Sequence, residues 1–173
     1  MKKLLMLCIA AATVSVSCKK TDNAIPDETP VVTNTDKKLK IEVDFTGDYK
    51  NYQLLFGVTS LYKGKNVFAQ PTISMPQNAQ WTQIITQGNA YNYIADLALD
   101  HFVIESTEPV NSISFLLSPT QVRNTDDVNA KPIVAIVKVY ANEKVVETYT
   151  YKARPLGEVT EPLSRSLNIG EYK

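Results

Sequence analysis

Soft metal ligands are scarce in this chain, whose 173 residues hold two cysteines and one histidine. That is too few for a zinc finger or an iron–sulfur cluster. Charge of neither sign is in surplus, with 18 basic and 18 acidic residues and a formal net charge of zero. Binding to a phosphate backbone needs a basic excess, so nucleic acid is not an expected partner. No apolar run reaches the roughly 20 residues of a membrane-spanning helix. Internal repeats are absent as well. What remains is ordinary for a folded protein, 44% hydrophobic and 21% charged, which excludes wholesale disorder and collagen-like structure.

The amino terminus departs from that average. Met1-Lys2-Lys3 is cationic, and residues 4–16 (LLMLCIAAATVSV) form a mostly apolar stretch of 13 residues. A basic start, an apolar segment of roughly 7–15 residues and small residues at its end make a secretory signal peptide. At about 1.5 Å per residue the stretch spans about 20 Å, short of the ~30 Å hydrocarbon core, so it is no permanent anchor. Ser15 and Ser17 supply the small-x-small geometry of a cleavage site. Cys8 lies in the discarded segment, which leaves Cys18 alone in the mature chain and allows no intrachain disulfide.

Ser15-Val16-Ser17-Cys18 resembles the lipobox of bacterial lipoproteins, with Ser15 standing where that family usually has Leu. The resemblance implies that the Cys18 thiol receives a diacylglyceryl group, that the chain is cut before it, and that the new terminus is acylated. Two or more acyl chains, at about 0.8 kcal/mol per buried methylene, give stable anchoring. Lys19 and Lys20 follow the cysteine rather than Asp, which in that family points to the outer membrane. Cys-Lys-Lys before an acidic tract containing Thr and Asn is similar to the start of small Bacteroidetes-type cell-envelope lipoproteins. On this reading residues 1–17 are a signal peptide, and the lipid bilayer is a partner through acylated Cys18.

Residues 18–37 are polar, contain Pro26 and Pro30, and lack aromatics. Such a tract cannot bury enough apolar area to offset its ordering entropy and reads as a flexible, disordered linker, spanning about 25 Å on average. Its acidic residues Asp22, Asp27 and Glu28 also suit an export signal read by sorting machinery. Residues 38–173 then form a single domain, large enough to bury its own core.

The dominant period in that domain is two. In Lys38-Leu39-Lys40-Ile41-Glu42-Val43-Asp44-Phe45 the odd positions are apolar and the even ones charged, the pattern of a strand with one wet face. Thr46-Gly47-Asp48 makes a turn, after which the chain returns through Tyr52, Leu54, Phe56 and Val58. Tyr91, Tyr93, Ala95, Leu97 and Leu99 alternate in the same way. Phe102 and Ile104 continue in the opposite phase, so Asp100-His101 is either a β-bulge or a turn between two strands. Ile113, Phe115 and Leu117 form another alternating set. Residues 133–137 (IVAIV) are apolar on both faces, which predicts a central strand covered twice. Asn142-Glu143-Lys144 turns the chain into a strand bearing Val145, Glu147, Tyr149 and Tyr151, and a shorter strand is expected near 166–169. The predicted fold is all-β, an antiparallel β-sandwich of about seven to nine strands. It resembles the immunoglobulin-like class in strand number and size, without that class's Cys…Trp…Cys hallmark.

Little in the domain points to chemistry. A histidine-assisted nucleophile would have to use His101, and no G-x-S-x-G elbow accompanies it. Beside Asp100 it reads as an exposed polar pair at a strand end. Asp96, Asp100, Glu105 and Glu108 could supply the two carboxylates of a glycosidase, yet alternation puts Asp96 and Asp100 on the wet face. Asn124, Asp126, Asp127 and Asn129 are the best local oxygen cluster for calcium. They lack the Asp-x-Asp-x-Asp-Gly spacing and read as a polar surface loop. Trp81, Tyr91 and Tyr93 lie among Gln77, Asn78, Gln80, Gln83, Gln87, Asn89 and Asn92. Aromatics flanked by amides suit sugar recognition, while the phase shared with Leu97 and Leu99 suits inward-facing strand residues.

The expectation is a membrane-anchored lipoprotein of the cell envelope, with no catalytic residue, cofactor or metal. Its sandwich serves binding or structural interaction with envelope proteins or glycans. The first alternative is a carbohydrate-binding module for polysaccharide capture, and the second a small two-carboxylate glycoside hydrolase.

Overall fold

The computed structural model describes residues 35–63, 67–68, 70–83, 91–95, 99–121, 131–153 and 161–173. The apolar leader, Cys18 and most of the polar tract lie outside the described residues, as do Asp96, Leu97 and the 122–130 segment with its Asn and Asp cluster.

The chain forms an all-β antiparallel sandwich. Its described strands are β1 (Leu39–Thr46), β2 (Tyr52–Lys63), β3 (Val67–Phe68), β4 (Pro71–Met75), β5 (Thr82–Gln83), β6 (Tyr91–Ala95), β7 (His101–Ser106), β8 (Ser112–Gln121), β9 (Val134–Ala141), β10 (Lys144–Lys152) and β11 (Leu163–Asn168). They exceed the seven to nine expected because the short β3 and β5 carry no readable periodicity. One sheet has five strands in the order β10-β9-β1-β7-β4, and the other six, β11-β8-β2-β6-β5 with β3 beside β2. Among the described residues the helical elements are 3-10 turns at Tyr49–Asn51 and Ile169–Glu171, and no helix is long and apolar enough to cross a membrane.

Alternation decides what each strand buries. Leu39, Ile41, Val43 and Phe45 of β1 are buried, as are Tyr52, Leu54, Phe56 and Val58 of β2. These strands lie in different sheets, so the turn between them crosses the sandwich and closes no hairpin. Gly47 makes the crossing with φ of 80°, where a Cβ would stand 2.3 Å from the Pro132 carbonyl oxygen. Asp48 N donates to Lys131 O at 3.1 Å, and Lys131 N donates to Asp48 Oδ2 at 2.5 Å. The phase slip at Asp100-His101 has the same origin, since β6 belongs to the six-stranded sheet and β7 to the five-stranded one.

Between β9 and β10 the chain makes a tight hairpin. Asn142 (φ 48°) and Glu143 (φ 68°) are both left-handed, as a type I′ turn requires. Strand β9 corrects one expectation. Ile133, Ala135 and Val137 are buried, but Ile136 is 38% exposed. The strand lies inside its sheet, yet among the described residues only the sheet's inner face is covered, so apolar residues occur on the wet side too.

The core is aromatic at its centre. Phe102 of the five-stranded sheet reaches Phe56 at 4.9 Å between ring centroids and stacks on Tyr93 at 5.3 Å. Phe56 also stacks on Phe115 at 6.0 Å. Each fully buried phenylalanine contributes about 1.5–3 kcal/mol of transfer free energy, so this cluster fastens the two layers together.

Candidate functional site

Among the described residues the densest set of interacting polar side chains lies on the outer face of the five-stranded sheet. Strand period places Lys40, Glu42 and Asp44 of β1 there. The register sets Tyr140, Lys138 and Ile136 of β9 on one side of them and Glu105, Val103 and His101 of β7 on the other. Lys40 Nζ lies 2.7 Å from Glu42 Oε1 and 4.0 Å above the Tyr140 ring. The Tyr140 hydroxyl donates to Glu42 Oε2 at 2.5 Å. His101 Nδ1 lies 2.7 Å from Asp44 Oδ1, and Lys138 Nζ is 4.0 Å from Asp44 Oδ2.

These contacts set the proton affinities. Burial opposes ionisation of Glu42, but hydrogen bonds from Lys40 and Tyr140, with the Lys40 charge, outweigh it and hold the carboxyl below its ordinary value. The hydrogen bond to Glu42, with burial and the Glu42 charge behind it, pushes the Tyr140 phenol up to about 12. Around neutral pH Glu42 therefore stays charged and Tyr140 protonated. Neither is poised to exchange a proton in catalysis.

Apolar groups frame this ladder. Met75, Ile136 and Val145 are 41%, 38% and 51% exposed, and their registers with Val103, Asp44 and Tyr140 put all three on this face. At one end a groove of about 300 Å³ is lined by Lys38, Lys40, Glu105, Ser106 and Glu143. Charged groups paired on an open face, with apolar side chains around them, are equipped for recognition. Among the described residues no cluster of His, Cys, Asp and Glu could hold a metal.

The residues expected from sequence fall elsewhere or take other roles. His101 pairs with Asp44, 57 positions away, rather than with Asp100. Asp100 is exposed, and its backbone oxygen accepts from Phe45 N at 2.8 Å. Asp100 and Glu105 are separated by five residues of extended chain, about 17 Å at 3.4 Å per residue. A glycosidase pair stands within about 9.5 Å.

The aromatic group is brought together at the flank of the sandwich. Trp81 and Tyr91 meet edge to face at 6.4 Å, and Tyr93 lies flat on Phe102. Trp81 Nε1 donates to Pro71 O at 2.8 Å. Tyr91 and Tyr93 pair with Val58 and Phe56 of the inner face; Trp81 and Tyr93 pack against the core, and Tyr91 lies against Trp81. The ladder itself was not singled out in the sequence. Its one signal is the run of charges at positions 40, 42 and 44, while its partners on β7 and β9 depend on register.

No family model matches the chain, and no curated protein is similar to it. Solved structures share its fold. One, the calcium-bound form of a protein from Parabacteroides distasonis, has a TM-score of 0.55 at 16% identity, and the match covers 78% of this chain and 94% of that one. A domain of unknown function, DUF4425, from Bacteroides vulgatus has a TM-score of 0.53 at 14% identity and covers 77% and 96%. At such identities the likeness is one of fold.

Proposed function

We propose that this chain is a lipoprotein of the cell envelope, anchored through acyl groups on Cys18, which has no catalytic role and presents its β-sandwich for binding. The anchor is supported by the cationic start, the short apolar segment and the Ser15-Val16-Ser17-Cys18 motif. The outer membrane is favoured because Lys19 and Lys20 follow the cysteine. The Bacteroides and Parabacteroides sources of the similar folds agree with a Bacteroidetes-type origin.

One observation carries the binding role. On the outer face of the five-stranded sheet an ion-pair ladder coincides with the exposed side chains of Met75, Ile136 and Val145. Exposed apolar groups at the margins of the ladder add contact area around its centre, and fixed charges give a partner its orientation. Cell fractionation tests the anchor: Cys18→Ala moves the chain from the membrane fraction to the soluble one, and a variant that stays with the membrane refutes it. For the face, Met75→Ser with Ile136→Ser keeps the fold and loses the partners cross-linked in the envelope. Unchanged cross-linking refutes that role.

The calcium-bound neighbour favours a second reading, in which this chain too binds calcium. Asn124, Asp126, Asp127 and Asn129 supply the oxygen-rich segment between β8 and β9. Calcium then raises the melting temperature of the full chain, and Asp126→Asn with Asp127→Asn removes the rise. A melting temperature indifferent to calcium and chelator rejects it.

A further inference from the structure

Two grooves on the five-stranded sheet are lined by lysines, and they differ in what those cations already hold. In the groove beside the ladder, Lys38 Nζ reaches Thr107 O and Ser106 O, and Lys40 is paired with Glu42. Glu105 and Glu143 add charge of the other sign there. The groove at the opposite end of the sheet measures about 440 Å³ and carries Lys131 and Lys152, with no acidic side chain among its described lining. Among the described residues neither ammonium has a hydrogen bond or ion pair. Asp48 turns its carboxylate to the Lys131 backbone N–H and does not line the groove.

Strand register builds this second groove. Val134 lies opposite Thr46 of β1 on one side and Lys152 of β10 on the other, so the three share one rung of the outer face. At about 4.8 Å per strand, the Thr46 and Lys152 sides stand about 10 Å apart. Pro132, Val134 and buried Ala153 make the floor apolar. Two hydrogen bonds to Asp48 pin the Lys131 backbone, and the β10 ladder holds Lys152. The site is thus formed before any ligand arrives, and its volume is that of a small-molecule site. A cleft lined by charge of one sign, with low-dielectric walls, concentrates its field on the space between them. We infer that this groove binds a small organic anion, its carboxylate between Lys131 and Lys152 and its hydrocarbon body on Pro132, Val134 and Ala153.

The lining narrows the class of ligand. Thr46 supplies the one hydroxyl among the described lining side chains, so a sugar would set several of its own hydroxyls unpaired on an apolar floor, which is costly. Inorganic phosphate would satisfy the lysines and leave the floor unused. Lysine is a point charge without arginine's planar fork, so the charge is recognised rather than a planar shape. The groove lies the length of β1, eight residues or about 27 Å, from the point where the chain enters the sandwich. That position favours a soluble anion over a lipid headgroup. The site goes beyond the contact role of the ladder, and either can fail without the other.

Octanoate is the probe, titrated into the isotopically labelled, unacylated full chain and followed by amide chemical shifts. The amides of Gly47, Val134 and Lys152 shift together and saturate at millimolar octanoate. Lys131→Gln with Lys152→Gln weakens binding about tenfold, and Lys144→Gln at the other end of β10 does not. Acetate has the charge without the body, and octanol the body without the charge. Each binds wild type about tenfold more weakly or worse. Shifts that never saturate, shifts centred on Met75, Ile136 and Val145 instead, or an affinity indifferent to both lysines overturn the inference. If the double variant loses its dispersed spectrum, the wild-type comparison decides alone, and acetate or octanol binding as well as octanoate overturns the inference too.

Discussion

Replacing Gly47 by alanine tests how the first crossing between the sheets is held. At φ of 80° an L side chain costs about 1–2 kcal/mol. The added Cβ would also meet the Pro132 oxygen at 2.3 Å, and Pro132 C and Lys131 O at 3.1 and 3.3 Å. All three are backbone atoms, so the Lys131–Pro132 segment must move. That movement strains the two hydrogen bonds joining Asp48 to Lys131, each contributing about 0.5–1.5 kcal/mol. Lower entropy of the unfolded chain returns about 0.4–1 kcal/mol, leaving a net loss of about 1–4 kcal/mol. Gly57→Ala is the control, for its obstacle is the Asn92 side chain at 2.9 Å, which can rotate away, and it costs under about 1 kcal/mol. Urea unfolding of dilute protein, followed by Trp81 fluorescence, reads both. Gly47→Ala lowers the midpoint by roughly 1–2 M, given slopes of about 1–3 kcal/mol/M. Equal midpoints for the two variants, or a Gly47→Ala midpoint matching wild type, refute the reasoning.

Two further predictions concern the five-stranded sheet. Glu143 occupies a left-handed position of the type I′ turn where glycine is favoured. Glu143→Gly raises stability by about 0.5–1 kcal/mol once the entropy of glycine is subtracted, and a lower urea midpoint contradicts this. The Glu42–Tyr140 bond makes stability depend on pH at both extremes. Glu42 has its carboxyl lowered in the fold, so its contribution is complete above the ordinary carboxylate value and is lost as pH falls from there through the lowered value of the folded state. Tyr140 is raised from 10 to about 12, so its contribution is complete below 10 and fades as pH rises toward about 12. Urea midpoints across both ranges should flatten in Glu42→Gln. Profiles parallel to wild type would show that the bond contributes nothing.

The fold was more legible in the sequence than the site. Alternation in residues 38–45 gave both the strand and its two faces, because one buried face forces a period of two. The same logic found the inward residues of β2 and β8. It failed at 133–137, where exposed Ile136 imitates burial, while at Asp100-His101 it allowed for a break between two strands without revealing that the chain changes sheets there. The ladder needed information that no local window contains. Glu42 meets Tyr140 at a separation of 98 residues and Asp44 meets His101 at 57, and only strand order makes them neighbours. The aromatic group shows the reverse difficulty, since rings flanked by amides are legible as a motif while their inward direction is set by pairing with β2.

The point at which the chain enters the sandwich has a mechanical consequence. Lys37 and Val110 exchange backbone hydrogen bonds of 2.8 Å, and Lys38 is tied to Asn142 through both its backbone N and O. The next strand, β1, is the middle one of five, zipped to β7 and β9 along its length. Under the proposed acyl anchor, tension from the bilayer loads that central strand first. A pull along its axis shears two ladders at once rather than peeling one edge bond by bond, so the domain should resist being dragged apart from its tethered end.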